Sequence, residues 1–340
     1  MEKYQILGKR PEELRAWVLE QGMPAYAAKQ LHEWIYVQRV RSFEEMTNLS
    51  KKNRILLAEN ADLGFTEPVH VSHSVDGTNK YLFKTVDGHL IESVMIPEAD
   101  RATLCVSAQV GCKMNCQFCM TGRMGFKAQL SAQEILNQIM SIPESGDLTN
   151  IVFMGMGEPM DNIDEVMRAL EILTSEDAFA WSPKRITVST IGVNASLHRF
   201  LEESKCHLAV SLHSPFHDQR LSWMPSEKAW PIEETIKMLR NYDFSKQRRL
   251  SFEYILFKGL NDSPTHANKL LSLLRGLDCR VNLIRFHTIP ETPFQTPDEM
   301  TVQKFAEYLN EKGLKTTIRK SRGEDIQAAC GLLSTNKSSV

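Results

Sequence analysis

Residues 111–122 read GCKMNCQFCMTG, which puts Cys112, Cys116 and Cys119 in a C-x-x-x-C-x-x-C spacing. Each iron of a four-iron, four-sulfur cluster takes one ligand from outside the cluster, usually a thiolate. Three cysteines therefore leave one iron open, and an open iron can hold a substrate. A zinc site closes with four ligands, and the paired C-x-x-C or H-x-x-x-H motifs that supply them are missing here. Spacing alone leaves two other readings: a zinc knuckle completed by a distant Cys or His, and cysteines packed as small hydrophobes.

Working outward, the cysteine stretch follows the first of six β-branched or apolar runs. These are TLCVSA (103–108), NIVFM (150–154), RITVST (185–190), HLAVSL (207–212), LSFEYIL (250–256) and RVNLIRF (280–286). Each is short enough for a buried strand. Amphipathic helical stretches separate them: one opens with the capping box Ser131-x-x-Glu134, and others run 163–173, 232–239 and 266–274. Six such units in a row predict an α/β fold, a partial (β/α)6 TIM-type barrel, open because eight units would close it. A seventh run, LKTTIRK (314–320), leads to the C-terminal segment.

Ahead of the barrel, residues up to about Asn60 read as helices. Pro11, Glu12 and Glu13 look like a first turn and Gly22 like a stop; Leu14, Trp17 and Val18 supply one apolar stripe, and Leu31, Trp34 and Ile35 a second. Arg39, Arg41, Lys51, Lys52 and Arg54 give this unit a local basic excess, which suits a solvated face or an RNA contact equally. From Val69 to Ile96 the pattern turns to short strands with turn signals at Asp76-Gly77 and Asp87-Gly88. The expected division is a helical accessory unit (1–62), a β-rich connector (63–97), the barrel (98–325) and a C-terminal segment (326–340) whose polar end, STNKSSV, reads as disordered.

Composition sets the wider limits. A net charge of −2 over 340 residues excludes bulk polyanion binding, so any nucleic-acid contact must use local patches. No apolar run approaches the roughly twenty residues of a membrane span, and the charged start MEKYQILGKR has no signal core. Seven cysteines, an odd number with three clustered as ligands, point to a reducing cytoplasm rather than a disulfide framework.

In parallel barrels the chemistry gathers where strands end and loops begin. The second strand ends in Gly155-Met156-Gly157-Glu158-Pro159, where glycines admit a ligand close to the backbone and Glu158 can accept from an ammonium. Ser189 ends the third strand, Ser211-Leu212-His213 the fourth, and His287 stands just past the sixth. Any one polar residue is more often a satisfied buried group, but their common rim points to a bound ligand. Cys105 and Cys330 stand apart from the triplet and, on spacing alone, are buried structural thiols.

The cysteine spacing resembles the signature of the radical S-adenosylmethionine (SAM) superfamily. With TLCVSAQVG, FMGMGEPMDN, VSTIG, SLHSP and the terminal RGEDIQAACG, nearly the whole chain resembles the radical SAM RNA adenine-C2 methyltransferases. That resemblance implies one 4Fe-4S cluster on Cys112, Cys116 and Cys119, and two SAM per turnover. It implies a substrate adenine in 23S ribosomal RNA and adenine 37 in some transfer RNAs. It further implies that Cys330 is methylated and then joined to the adenine, that Glu92 accepts the ring proton, and that Cys105 releases the product through a transient disulfide. Gly157, Glu158, Ser189, Ser211, Leu212 and His213 match SAM-contacting positions. His287 stands where the family usually has Asn. An external electron donor such as flavodoxin or ferredoxin, a cytoplasmic location and a monomeric state complete the expectation. The basic run Lys312, Lys315, Arg319, Lys320 and Arg322 would steer RNA phosphate toward Cys330. The competing readings are the same chemistry at adenine carbon 8, against which Pro159 argues, and a non-catalytic RNA-binding protein with a metal knuckle.

Overall fold

The computed structural model describes residues 3–246 and 248–335. Its N-terminal unit runs β1 (Tyr4–Gln5), α1 (Pro11–Glu20), α2 (Tyr26–Tyr36), α3 (Lys51–Asn60) and β2 (Ala61–Asp62). Pro11 opens α1 with a preset φ, and Glu13 closes its first turn by accepting the Arg10 N–H at 2.8 Å. Leu14, Trp17 and Val18 are the buried stripe, as expected. The helices are as predicted; the parallel pairing of β1 with β2 is not, because two-residue strands have no period to read.

The basic excess resolves into two groups. Arg39 lies 5.2 Å over the Phe179 ring, and Arg41 lies 4.3 Å over Phe65 and donates to the Met140 carbonyl. Arg54 donates to the Glu44 carbonyl at 2.6 Å. These arginines fasten the unit to itself and to the barrel, while Lys51 and Lys52 stay exposed.

Three antiparallel strands follow, β3 (His70–His73), β4 (Asn79–Lys84) and β5 (Leu90–Glu98), turning at the two predicted Asp-Gly pairs. The barrel then proceeds through β6 (Arg101–Cys105), β7 (Gln109–Val110), α4 (Met120–Arg123), β8 (Ala128–Gln129) and α5 (Ala132–Met140). It continues as β9 (Asn150–Phe153), α6 (Ile163–Thr174), β10 (Ile186–Thr190), α7 (Asn194–Glu203), β11 (His207–Ser211), α8 (His217–Trp223) and α9 (Ile232–Leu239). The last elements are β12 (Leu250–Leu256), α10 (Pro264–Leu274), β13 (Cys279–Arg285), α11 (Glu299–Glu311) and β14 (Thr316–Ile318). All six predicted runs are strands, and LKTTIRK supplies a seventh parallel one, β14, against β13. β5 pairs antiparallel with β6, so one open sheet runs β3-β4-β5-β6-β9-β10-β11-β12-β13-β14. Among the described residues no helix is long and apolar enough to cross a membrane.

Two faces of this sheet do different work. On β12, Leu250, Phe252 and Tyr254 are fully buried, and Tyr254 stacks on Phe305 of α11, so this face meets the helices. The alternate residues form a polar row in register across four strands: Ser211 opposite Glu253, Glu253 opposite Asn282, and Asn282 opposite Thr317. Cys105 of β6 and Ile318 of β14 line one cavity, so the sheet curls until its first and seventh parallel strands face each other.

The expectation of a disordered tail needs a correction at its start. Ser334 is buried and donates its N–H to Glu92 at 2.8 Å, because a buried carboxylate takes any donor within reach. Residues 336–340 lie outside the described residues.

Candidate active site

Past β6 the chain forms β7, swings through the cysteines and returns as β8, antiparallel to β7. Gly111 makes the entry possible: its φ is +73°, and a Cβ there would stand 1.8 Å from the Gly125 carbonyl oxygen. Cys112 donates its N–H to that same oxygen at 3.2 Å, and Cys119 donates to the Cys116 carbonyl at 3.1 Å. Cys112 and Cys116 are buried and Cys119 is half-buried. Burial pushes the Cys112 thiol up to about 12. It raises the Cys116 thiol as well, with repulsion from Cys119 and Cys112 adding to the rise. Left alone, these are neutral thiols; the positive charge of an iron cluster would deprotonate them. Among the described residues no group of three or more His, Cys, Asp or Glu converges to hold a single metal ion. Three thiols on one loop would supply one ligand to each of three irons of a four-iron cluster and leave the fourth iron open.

The ends of β9, β10 and β11 bring the predicted rim residues beside this loop. Gly157 has a φ of +95°, and a Cβ would lie 2.4 Å from that of Gln109. Glu158 is buried, with its two carboxylate oxygens accepting the Met160 N–H at 3.1 Å and the Ile191 N–H at 3.0 Å. Burial outweighs those bonds and lifts its pKa to about 7. Ser189 and Ser211 lie on the half-buried polar face of their strands, and Leu212 is fully buried. His213 has a φ of +57° and its ring edge meets Phe118 of the cysteine loop at a centroid distance of 4.9 Å. Its Nδ1 accepts the Ile255 N–H at 3.1 Å, and burial, helped by Arg220, pushes its pKa down to about 3. The ring is therefore neutral, with its proton on Nε2.

His287 has different neighbours. Its Nε2 pairs with the Ser321 hydroxyl at 3.0 Å, and burial lowers its pKa. It lines a cavity of about 440 Å³ together with Cys105, Cys119, Arg319 and Cys330. Cys330 is exposed on a segment held by the Met120 N–H to the Gly331 carbonyl and by the Thr121 hydroxyl to the Leu333 carbonyl, both at 2.8 Å. Cys105 is buried, and burial followed by the proximity of Cys330 pushes its thiol up to about 12.

Glu92 is not among the residues that line this cavity; it lies on β5, two residues before Val94, the register partner of Cys105. It pairs with Lys80 at 3.1 Å and accepts the Ser334 N–H at 2.8 Å. Burial still raises its pKa against the pull of Lys80.

Lys80 and Glu253 carry no signal of a site in the sequence, and Arg319 shows there only as one of a basic run. Glu253 stands in the middle of LSFEYIL, where a buried charge requires a partner. That partner is Arg319, 3.5 Å away, which also reaches the Met154 sulfur at 3.3 Å. Arg319 therefore points inward, away from the phosphate-steering run, because Thr317 and Arg319 alternate onto the interior face.

A curled α/β barrel with a three-thiol loop after its first parallel strand defines a radical SAM enzyme. The radical SAM superfamily model matches residues 106–270, and that of the ribosomal RNA large subunit methyltransferase N-terminal domain matches residues 4–63. A probable dual-specificity RNA methyltransferase RlmN of Bacteroides fragilis is 59% identical over 337 residues, covering 99% of this chain and 98% of that protein. The corresponding protein of Porphyromonas gingivalis is 58% identical, covering 98% and 97%. The crystal structure of a radical SAM methyltransferase from Sphaerobacter thermophilus superposes with a TM-score of 0.91 at 41% identity, covering 97% of this chain and 99% of that one. The chain belongs to the RlmN family of dual-specificity RNA methyltransferases. It is a radical SAM enzyme whose cofactors are one 4Fe-4S cluster and SAM, which sets aside the non-catalytic knuckle.

Proposed function

We propose that this protein methylates carbon 2 of a specific adenine in 23S ribosomal RNA and of adenine 37 in some transfer RNAs. The observation that carries this reading is the single cavity shared by Cys105, Cys119 and Cys330, which joins two thiols outside the triplet to one inside it. Carbon 2 of adenine has no lone pair to attack a methyl directly, so the methyl must be carried to it. Cluster and SAM together supply a methyl group and a deoxyadenosyl radical. Cys330, exposed at the cavity, accepts the methyl by displacement. Its S-methyl carbon, once stripped of a hydrogen atom, joins the ring. Glu92 takes the ring proton, which requires it to exchange its bond to Ser334 for one to the adduct. Cys105 then attacks the Cys330 sulfur and breaks its bond to the transferred carbon, which keeps the bonding pair and takes a proton to become the methyl. The electron spent on making the radical is returned as the ring regains aromaticity, and an external reductant reopens the Cys105–Cys330 disulfide.

On this reading Cys112, Cys116 and Cys119 hold the cluster, while Gly157, Glu158, Ser189, Ser211, Leu212 and His213 hold SAM. His287, bonded to Ser321, holds SAM from the far side of the cavity. Residues 1–62 grip RNA, 63–97 connect, 98–325 carry the chemistry and 326–340 carry Cys330. The enzyme works as a cytoplasmic monomer, with flavodoxin or ferredoxin as electron donor.

The test is anaerobic protein reconstituted with iron and sulfide, given SAM and protein-free ribosomal RNA, then digested for mass spectrometry. We expect S-methyl on Cys330 and 2-methyladenine in the RNA; an 8-methyl product would move the chemistry to carbon 8. Cys105→Ala should trap RNA covalently on the protein, and full turnover by that variant would refute the disulfide step.

A further inference from the structure

Arg220 lies on α8 with its side chain entirely buried, which is rare for an arginine without a dedicated task. Its carboxylate partner, Glu227, is equally buried and forms an ion pair with Nη1. The rest of the guanidinium is spent on backbone carbonyls. Nε donates to Leu212 at 3.0 Å, and Nη2 donates to Ser211 at 2.9 Å and to Ile191 at 3.1 Å. Glu227 in turn accepts the Ile232 N–H at 3.1 Å and faces the His217 Nδ1 at 2.9 Å, which pins it to the start of α9.

These carbonyls belong to the chain leaving β10 and β11. The Ile191 peptide carries the connection further, because its N–H donates to the Glu158 carboxylate at 3.0 Å, beyond β9. One planar cation therefore ties three strand ends into a single unit: Glu158 to Ile191, Ile191 to Arg220, and Arg220 to Ser211-Leu212. A lysine could not replace it, since an ammonium lacks the flat fork that reaches separate acceptors at fixed angles.

We propose that Arg220, oriented by Glu227, is a positioning residue for SAM, holding the ends of β9, β10 and β11 at the spacing that grips the ligand. This rests on the reading that those strand ends contact SAM. Arg220 itself does not touch the ligand; it acts through the carbonyls it holds.

The test measures the SAM dissociation constant by equilibrium dialysis on anaerobic holoenzyme, alongside iron content and melting temperature. Arg220→Lys keeps the charge for Glu227 but loses the fork. The double variant Arg220→Met/Glu227→Gln removes both charges together, which spares the fold an unpaired buried ion. We expect iron content to hold and melting to stay cooperative, while the SAM dissociation constant rises about tenfold or more in the double variant and severalfold in Arg220→Lys. Either variant, folded and iron-loaded, binding SAM within twofold of wild type would overturn the proposal. Glu158→Ala separates the two layers of argument. If it weakens SAM binding while the Arg220 variants do not, only the positioning role falls. If it too leaves binding unchanged, the strand-end reading of the SAM site falls with it.

Discussion

Gly111 shows how little tolerance the cysteine loop has. Its left-handed φ alone disfavours any side chain, and the 1.8 Å approach to Gly125 leaves no room for a Cβ. Gly125 also accepts the Cys112 N–H, so pushing it away displaces the first thiol of the triplet. Gly111→Ala should therefore still fold but lose most of its iron and sulfide per chain, as measured after reconstitution. A full iron complement in that variant would show that the loop can be reshaped around a cluster. Glu158 presents the opposite situation, a carboxyl whose burial and whose two backbone donors pull its proton in opposite directions. It is held in place before any ligand arrives.

β11 is stitched to β12 at both ends by a histidine. His207 accepts the Arg249 N–H at 2.9 Å, and His213 accepts the Ile255 N–H at 3.1 Å, each through Nδ1. Both bonds require neutral rings. Burial, then nearby arginines, push His207 down to about 4, and burial pushes His213 down to about 3. The unfolded chain titrates these side chains near 6.5. Below that pH the unfolded state takes up protons that the native state refuses, so stability is full above about 6.5 and falls as pH drops toward 4. Each such histidine steepens the fall by up to about 1.4 kcal/mol per pH unit. His207→Asn, which keeps an acceptor without a titrating proton, should flatten the loss of urea stability between pH 7.5 and 5. Equal slopes for variant and wild type would mean that this stitch contributes nothing to acid sensitivity.

Glu92 joins parts of the protein that are far apart in the chain. Its bond to Ser334 spans 242 residues, and its pair with Lys80 is buried on both sides, at 3% and 4% exposure. Removing one partner of such a pair leaves a charge with neither water nor counter-ion, at a cost of about 3–5 kcal/mol. Glu92→Ala should lose about that much in urea unfolding and also free the segment carrying Cys330, read as faster proteolysis after residue 330. Lys80→Met/Glu92→Leu should recover most of the stability but not the protection of that segment, since an aliphatic side chain cannot accept the Ser334 N–H. A loss below about 1 kcal/mol in Glu92→Ala would show that Lys80 finds another partner.

The six strands, the intervening helices and the cysteine triplet could be read from the chain because their information is local. A strand is a short apolar run, a capping box spans four residues, and three cluster thiols must sit on one loop. Gly157 and Glu158 were legible for the same reason, as one motif after one strand. Arg220, Arg319 and Lys80 were not, because each acquires its meaning from a partner on another element, and a lone basic residue looks the same whether it faces water or a buried carboxylate. The basic run ahead of Cys330 illustrates this: its period-two alternation sends Arg319 inward to Glu253. Local sequence thus determined which elements form and that three thiols share one loop after the first parallel strand. Only the curled sheet decided which charges meet inside it, since burial and distance, which set the cost of an unpaired charge, exist only in the folded chain.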